Sequence, residues 1–400
     1  MPANRRAIHT TTCVFACLTI MTSCGRSPVG VGSVGGNGCD DRLARAAENL
    51  QQPLVIEGQP VETWSIDEGM DRYSVPGVTA AVIDDFRLVA AGAWGVTVAG
   101  GDQPVTTETI FQAGSVSKPV SAVLALALVS DGTLQLDKPI NEVLQSWKVP
   151  DNELTQLSPV TLRHLLTHQA GFTPFTYLIP RSAASVPSMA KLLMGGFRDW
   201  PAITVEVLPG SRHSYSNPGF CVLQLVLEDT SNLSLHELAS QRLFGPLGMQ
   251  HSTFAEPLDS AQLATAATGH TMDNGSQYAP VEGKAEIAPG ATGGLWSTPS
   301  DLTLFAMGVM QAWRGESDNV LSTALAKEYL TLQTENMGLG IYLEGEGAAL
   351  RARHGGEMVG FITHLVFYPN LRKGAVVMAN SGGGRWVNHQ LIAAIANEYD

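Results

Sequence analysis

Ser115-Val116-Ser117-Lys118-Pro119, followed by the apolar run Val120 to Val129 and closed by Asp131-Gly132, is the stretch on which the reading of this chain turns. Proline is tolerated only in a helix's first turn, so Pro119 sets the start of a helix at about Ser115. The residues that follow are almost wholly apolar, which predicts a helix buried on all sides and stopped at Asp131-Gly132. A serine at a helix start has a plain role, capping exposed N–H groups. Lys118, three residues on, lies on the same face, where it is either solvated or held in a dry site. In a dry site desolvation lowers its pKa, and the positive end of the helix lowers it further. A neutral amine one turn from a hydroxyl can take its proton, and the helix end offers N–H groups to a developing oxyanion.

Strand-like runs lie on either side of a helix-rich middle. Val78 to Ile83 and Phe86 to Trp94, separated by Asp84-Asp85, predict a hairpin. After Gly294 four more runs predict strands: Met337 to Leu343, Leu350 to His354, Met358 to Phe367 and Lys373 to Asn380. Val387 to Glu398 closes the chain as a helix. In the middle, Val160 to His168 and Cys221 to Glu228 are the clearest helices. Ends that share one sheet, with a helical insertion between them, predict an α/β (α+β) body. Its sheet part spans about 40–132 and 290–400, and its helical part about 133–289.

The first 24 residues predict a targeting segment. Arg5 and Arg6 precede a short apolar stretch, Cys13 to Met21, too short to span a bilayer as a helix. Met21-Thr22-Ser23-Cys24 resembles a bacterial lipoprotein signal, with Cys24 as the lipid-bearing residue; an ordinary signal peptide cleaved nearby is the alternative. Both readings imply export to the cell envelope, with membrane contact only through such a lipid. Residues 25–39 are glycine-rich and predict a flexible tether. Its Gly30-Val-Gly-Ser-Val-Gly35 copies a dinucleotide-binding pattern but has no strand before it and no helix directly after it.

Twenty-four Lys and Arg stand against 37 Asp and Glu, a formal charge of −13. That balance excludes nucleic acid as the expected partner, since phosphate binding needs a basic footprint. No cysteine–histidine metal spacing occurs, and His236-Glu237 lacks the second histidine of a zinc-protease helix, so neither metal nor cofactor is expected. Cys39 and Cys221 could pair in an oxidising compartment, but Cys221 lies among apolar residues and is read as a buried free thiol. No Gly-x-Ser-x-Gly elbow is present, which removes the α/β-hydrolase route to a serine nucleophile.

Two further motifs follow Ser115-x-x-Lys118 in order. Tyr215-Ser216-Asn217 lies in the turn-forming stretch Pro209 to Gly219, and His354-Gly355-Gly356 ends a predicted strand. With Thr161-Leu-Arg-His-Leu-Leu-Thr-His168, Pro246-Leu-Gly-Met249, Gly293-Gly-Leu-Trp-Ser-Thr298 and Gly338-Leu-Gly-Ile-Tyr342, the chain resembles the serine β-lactamase and penicillin-binding protein superfamily. The likeness runs from about residue 75 to 382, in the branch shared by class C β-lactamases, D,D-carboxypeptidases and related esterases. It implies an antiparallel sheet flanked by helices, a helix-rich insertion and a site between the two. It also implies Ser115 as acylated nucleophile, Lys118 as its base partner and Tyr215 as the proton carrier to the leaving group. Asn217 would bind the substrate amide or steady Lys118. His354, Gly355 and Gly356 would line the strand edge, and the N–H groups of Ser115 and Glu357 would form the oxyanion hole. Whether Lys118 or Tyr215 takes the first proton stays open, because their titrations are coupled.

β-Lactamases of this kind carry lysine and then a hydroxyl residue where this chain has His354 and Gly355. Here the cation is expected to be present only part of the time near neutral pH. Esters, or peptides and amides with D-residues, are therefore expected ahead of carboxylated lactams. His168 is expected to serve structure at a helix end; His213, near Tyr215, has no assigned role.

Overall fold

A computed structural model describes residues 41–52, 60–180, 187–273, 277–280 and 286–400. The signal segment, the tether, Cys24 and Cys39 lie outside the described residues, as does any Cys39–Cys221 pairing. Cys221 itself is a free thiol with none of its surface exposed.

Six strands form the main sheet: β1 (Gly77–Asp84), β2 (Arg87–Gly95), β3 (Tyr342–Glu344), β4 (Arg351–Met358), β5 (Phe361–Tyr368) and β6 (Lys373–Ala379). Their spatial order is β3-β4-β5-β6-β1-β2, and every neighbouring pair is antiparallel. The β6–β1 pairing, from Ala379 opposite Val78 to Gly374 opposite Ile83, joins the two ends of the chain in one sheet. Strand residues alternate between two cores, as a period of two requires. Val78, Ala80, Val82, Val377 and Ala379 face helix α1 (Arg42–Ala47) and the closing helix α6 (Gly384–Tyr399). Ile83, Val376 and Met378 face the larger core. That core holds α2 (Ser117–Ser130), α3 (Leu162–Leu166), α4 (Asn217–Ser231) and α5 (Pro299–Arg314). The antiparallel sheet flanked by helices, with a helix-rich middle, is thus as the sequence predicts.

Local differences have local causes. Helix α2 begins with a 3-10 turn, Gly114–Val116, and becomes α-helical at Ser117. Pro119 sits in its first α-turn, and Ser117 through Leu128 are all buried. The β1–β2 turn falls one residue later than expected. Asp85 and Phe86 take the positive φ values, 47° and 57°, that a tight two-residue hairpin demands. Phe86 holds that unusual conformation with Arg372, whose guanidinium lies 5.6 Å from its ring and whose carbonyl accepts its N–H. The run from Met337 is a strand only from Tyr342. Before that it folds back on itself, Gly338 N–H reaching Ile341 O at 2.8 Å.

Candidate active site

Ser115 is placed by three elements. Its own 3-10 turn is pressed against β4 so closely that a Cβ on Gly114 would lie 2.7 Å from Glu357 N. A Cβ on Gly356 would lie 1.9 Å from Ala113 O and 3.3 Å from Ser115 N. Only glycine permits that approach, and it brings the Ser115 and Glu357 backbones face to face. Ser117, read as a second helix-start hydroxyl, fastens the turn: its Oγ donates to Gly114 O at 2.7 Å and accepts from Leu295 N at 3.0 Å.

The α2 face then delivers Lys118, whose Nζ stands 3.0 Å from Ser115 Oγ and donates to Thr292 O at 2.8 Å. Lys118 is wholly buried. Desolvation lowers its pKa to about 7, against a small opposing influence of Cys221. The amine is therefore neutral in a large fraction of molecules at neutral pH. From the loop before α4 comes Tyr215, whose hydroxyl donates to Ser115 Oγ at 2.9 Å. The residue is 39% exposed, its hydroxyl is turned to Ser115, and desolvation raises the phenol above its ordinary range. Ser115, Lys118 and Tyr215 thus meet at one oxygen. A neutral amine and a protonated phenol on one hydroxyl can accept its proton on one side and pass a proton on from the other.

The remaining sequence-derived residues are distributed differently. Asn217 begins α4 and lines the site, yet its amide donates to Thr176 Oγ1 at 3.0 Å. Lys118 is steadied by Thr292 O instead. His354 is on β4, 2% exposed, with Nδ1 2.7 Å from Gly355 O. Burial, then the proximity of Lys118, drives its pKa down to about 3. The expectation of a part-time cation is therefore corrected: burial, with Lys118 close by, favours the neutral His354 ring near neutral pH. Gly355 leaves open space above β5, with only His364 Cδ2 at 4.0 Å from a would-be Cβ.

Two cavities meet at Ser115. One, of about 410 Å³, is lined by Asn217, Tyr177, Leu178, Ala288, Met358 and Glu357 among others. The other, of about 370 Å³, is lined by Tyr215, Tyr342, His354, Gly355, His364 and Arg385 among others. Arg385, at the start of α6, is ion-paired with Glu357. It brings a guanidinium, paired with that carboxylate, to the cavity that His354 lines. Sequence reasoning missed Arg385 and Thr292, since neither belongs to a motif and both reach the site only through the fold. Among the described residues no group of three or more His, Cys, Asp or Glu could hold a metal ion.

A single sheet made from both chain ends, a buried Ser-x-x-Lys helix and a tyrosine arriving from the inserted part define one class of architecture. Residues 65–398 match the Beta-lactamase family, and the chain belongs to it. It is 30% identical over 259 residues to penicillin-binding protein 4 of Amycolatopsis lactamdurans, covering 64% of this chain and 65% of that one. With a D-aminopeptidase of Brucella anthropi it shares 24% identity over 318 residues, covering 78% and 58%. The chain spans less than two thirds of the length of these curated relatives. Its fold matches an octameric penicillin-binding protein homologue from Pyrococcus abyssi with a TM-score of 0.66. That match covers 83% of this chain and 76% of the other, at 23% identity.

Proposed function

We propose that this protein is an exported serine hydrolase that works through an acyl-enzyme on Ser115. One observation carries the reading: Lys118 Nζ and Tyr215 Oη converge on Ser115 Oγ at 3.0 and 2.9 Å, with the lysine held near pKa 7 by burial. Lys118, as the free amine, takes the Ser115 proton while Oγ bonds to the substrate carbonyl. The oxyanion so formed is held by the Ser115 and Glu357 N–H groups. Collapse of this intermediate breaks the bond to the leaving oxygen or nitrogen, which receives a proton through Tyr215. Water then attacks the acyl group by the reverse relay and regenerates the Ser115 hydroxyl. The raised phenol favours Lys118 over a Tyr215 phenolate as the first base.

The substrate class follows from the lining. The cavity beside Asn217 takes the acyl part, and the cavity beside Tyr215, the proton donor, takes the leaving group. A neutral His354 and a bare Gly355 supply no charge or hydroxyl for a lactam carboxylate, and Arg385 is already engaged by Glu357. Esters and peptides or amides with D-residues are thus favoured over carboxylated lactams, a small-molecule or peptide substrate in either case. The D-aminopeptidase and penicillin-binding relatives are compatible with that range. Export rests on the Arg5-Arg6 and Cys13–Met21 segment, with Cys24 as the residue to carry a lipid. Intact-mass spectrometry after incubation with a fluorophosphonate, an aryl ester and benzylpenicillin tests the core reading. One adduct on Ser115, absent from Ser115→Ala, is expected, with the ester turned over faster than the penicillin. Label on Ser381, or none, sinks the mechanism; a strong preference for penicillin sinks the substrate class alone.

A further inference from the structure

His168 was expected to close α3, and its backbone does so at φ 55°. The side chain does something else. It is 1% exposed and lies against the loop that carries Tyr215, their ring centroids 4.5 Å apart. The same residue binds the N–H groups of both residues that flank Tyr215. Ser214 N–H donates to His168 O at 2.8 Å, and Ser216 N–H donates to His168 Nδ1 at 3.1 Å. Accepting at Nδ1 fixes the ring as the tautomer protonated on Nε2. Nε2 is buried with no hydrogen-bond partner among the described residues, so the ring's polar anchoring goes to Ser216 alone. The Phe220 ring also packs near, its centroid 5.2 Å from that of the imidazole.

Tyr215 needs such a clamp. The residue is partly exposed and sits on a loop, and its hydroxyl bonds to Ser115 Oγ itself. A proton carrier displaced by even a fraction of an ångström loses the alignment that transfer requires. We infer that His168 is a positioning residue for Tyr215, its Nδ1 fixing the loop so that the phenol bears on Ser115. The inference rests on Tyr215 carrying the leaving-group proton. Burial, with the nearby Lys118, keeps the imidazole neutral, which preserves Nδ1 as an acceptor.

Two substitutions separate the acceptor from the backbone, because both tolerate a left-handed conformation: His168→Gly removes the side chain, and His168→Asn returns an oxygen near the Nδ1 position. With an aryl ester, His168→Gly is expected to lose 10- to 100-fold in kcat with KM changed less than threefold. His168→Asn should recover at least half of that loss on a logarithmic scale. In a Tyr215→Phe background, neither substitution should cost more than a further twofold, since the group being positioned is gone. Equal losses in Gly and Asn, or an undiminished Gly effect beside Tyr215→Phe, would overturn the positioning role and leave the proposed mechanism standing. Full turnover by Tyr215→Phe alone would overturn both. Thermal melts of every variant accompany the kinetics, and if the glycine variant does not fold, the asparagine variant decides: a loss as large as that of Tyr215→Phe overturns the role, and retained turnover supports it.

Discussion

On the outward face of β4, Arg353 and Arg351 pair with Glu344; on the inward face of the same strand, His354 lies buried beside Lys118. Residues one position apart thus obey different electrostatics. Outside, hydrogen bonds from Arg353 and then Arg351 hold the Glu344 carboxyl down to about 2. Inside, the charges acting on Lys118 and His354 include no carboxylate, and lost hydration is the first cause of both shifts. Ion pairing stabilises charge on one face, and desolvation removes it on the other. The chemistry proposed at Ser115 depends on the second. A lysine offered a carboxylate would stay charged and could not serve as a base at neutral pH.

The largest break in this comparison comes from removing the inward groups themselves. Lys118→Ala and Tyr215→Phe should each cut ester turnover on the order of 10³-fold, and the double variant should be little worse than either, as for residues that act as one unit. Strictly multiplicative losses in kcat would show that the two serve separate steps. A second break imports the outward chemistry. Cys221, whose thiol burial pushes up to about 12, is neutral and within electrostatic reach of Lys118. Cys221→Asp should return charge to the lysine, moving the midpoint of the pH–rate profile upward by ~1 unit or more and slowing labelling at pH 7 by roughly tenfold. Cys221→Ser, the control, should leave the midpoint in place; an unmoved midpoint in the aspartate variant would count against electrostatic control of Lys118.

The smallest effect is expected outside. Arg353→Ala breaks a partly exposed pair, with 43% of the arginine and 33% of the Glu344 side chain open to solvent. Such pairs contribute under ~1 kcal/mol, so a Tm loss of at most ~2 °C is expected, with kcat within about twofold. Because Glu344 is depressed below its ordinary value near ~4.3, the pair's contribution is present above that pH and fades as pH falls through about 2. Melts of wild type and variant at pH 7 should differ, and at pH 2 should converge. A difference that widens in acid would reverse the assigned sign.

The legible parts of the molecule were those whose cause is local. Pro119 and an almost wholly apolar run are enough to mark a buried helix, and α2 runs Ser117–Ser130. Apolar, β-rich runs marked the sheet, because each strand packs one side against α1 and α6 and the other against the larger core. The turn of the first hairpin slipped by one residue because Phe86 is held at positive φ by Arg372, nearly three hundred positions away in the chain. In the site, Ser115, Lys118 and Tyr215 carried motif spacing, and the structure brings them to one oxygen. Arg385 and Thr292 carried none. The state of His354 also escaped the sequence, since an imidazole's charge depends on whether water reaches it. His168 could have been noticed: a polar aromatic at the end of Leu165-Leu166-Thr167 is an odd residue to bury completely.

The most direct test of a desolvated lysine is the rate at which Ser115 is labelled by an uncharged fluorophosphonate as a function of pH. With Lys118 near 7, the second-order rate constant should climb about tenfold per unit below that value and level off above it. No inflection from His354 should appear between pH 5 and 9, because its titration lies near 3. A rate that keeps rising towards pH 10, or one indifferent to pH from 5 to 9, would contradict a neutral Lys118 as the group that takes the proton from Ser115.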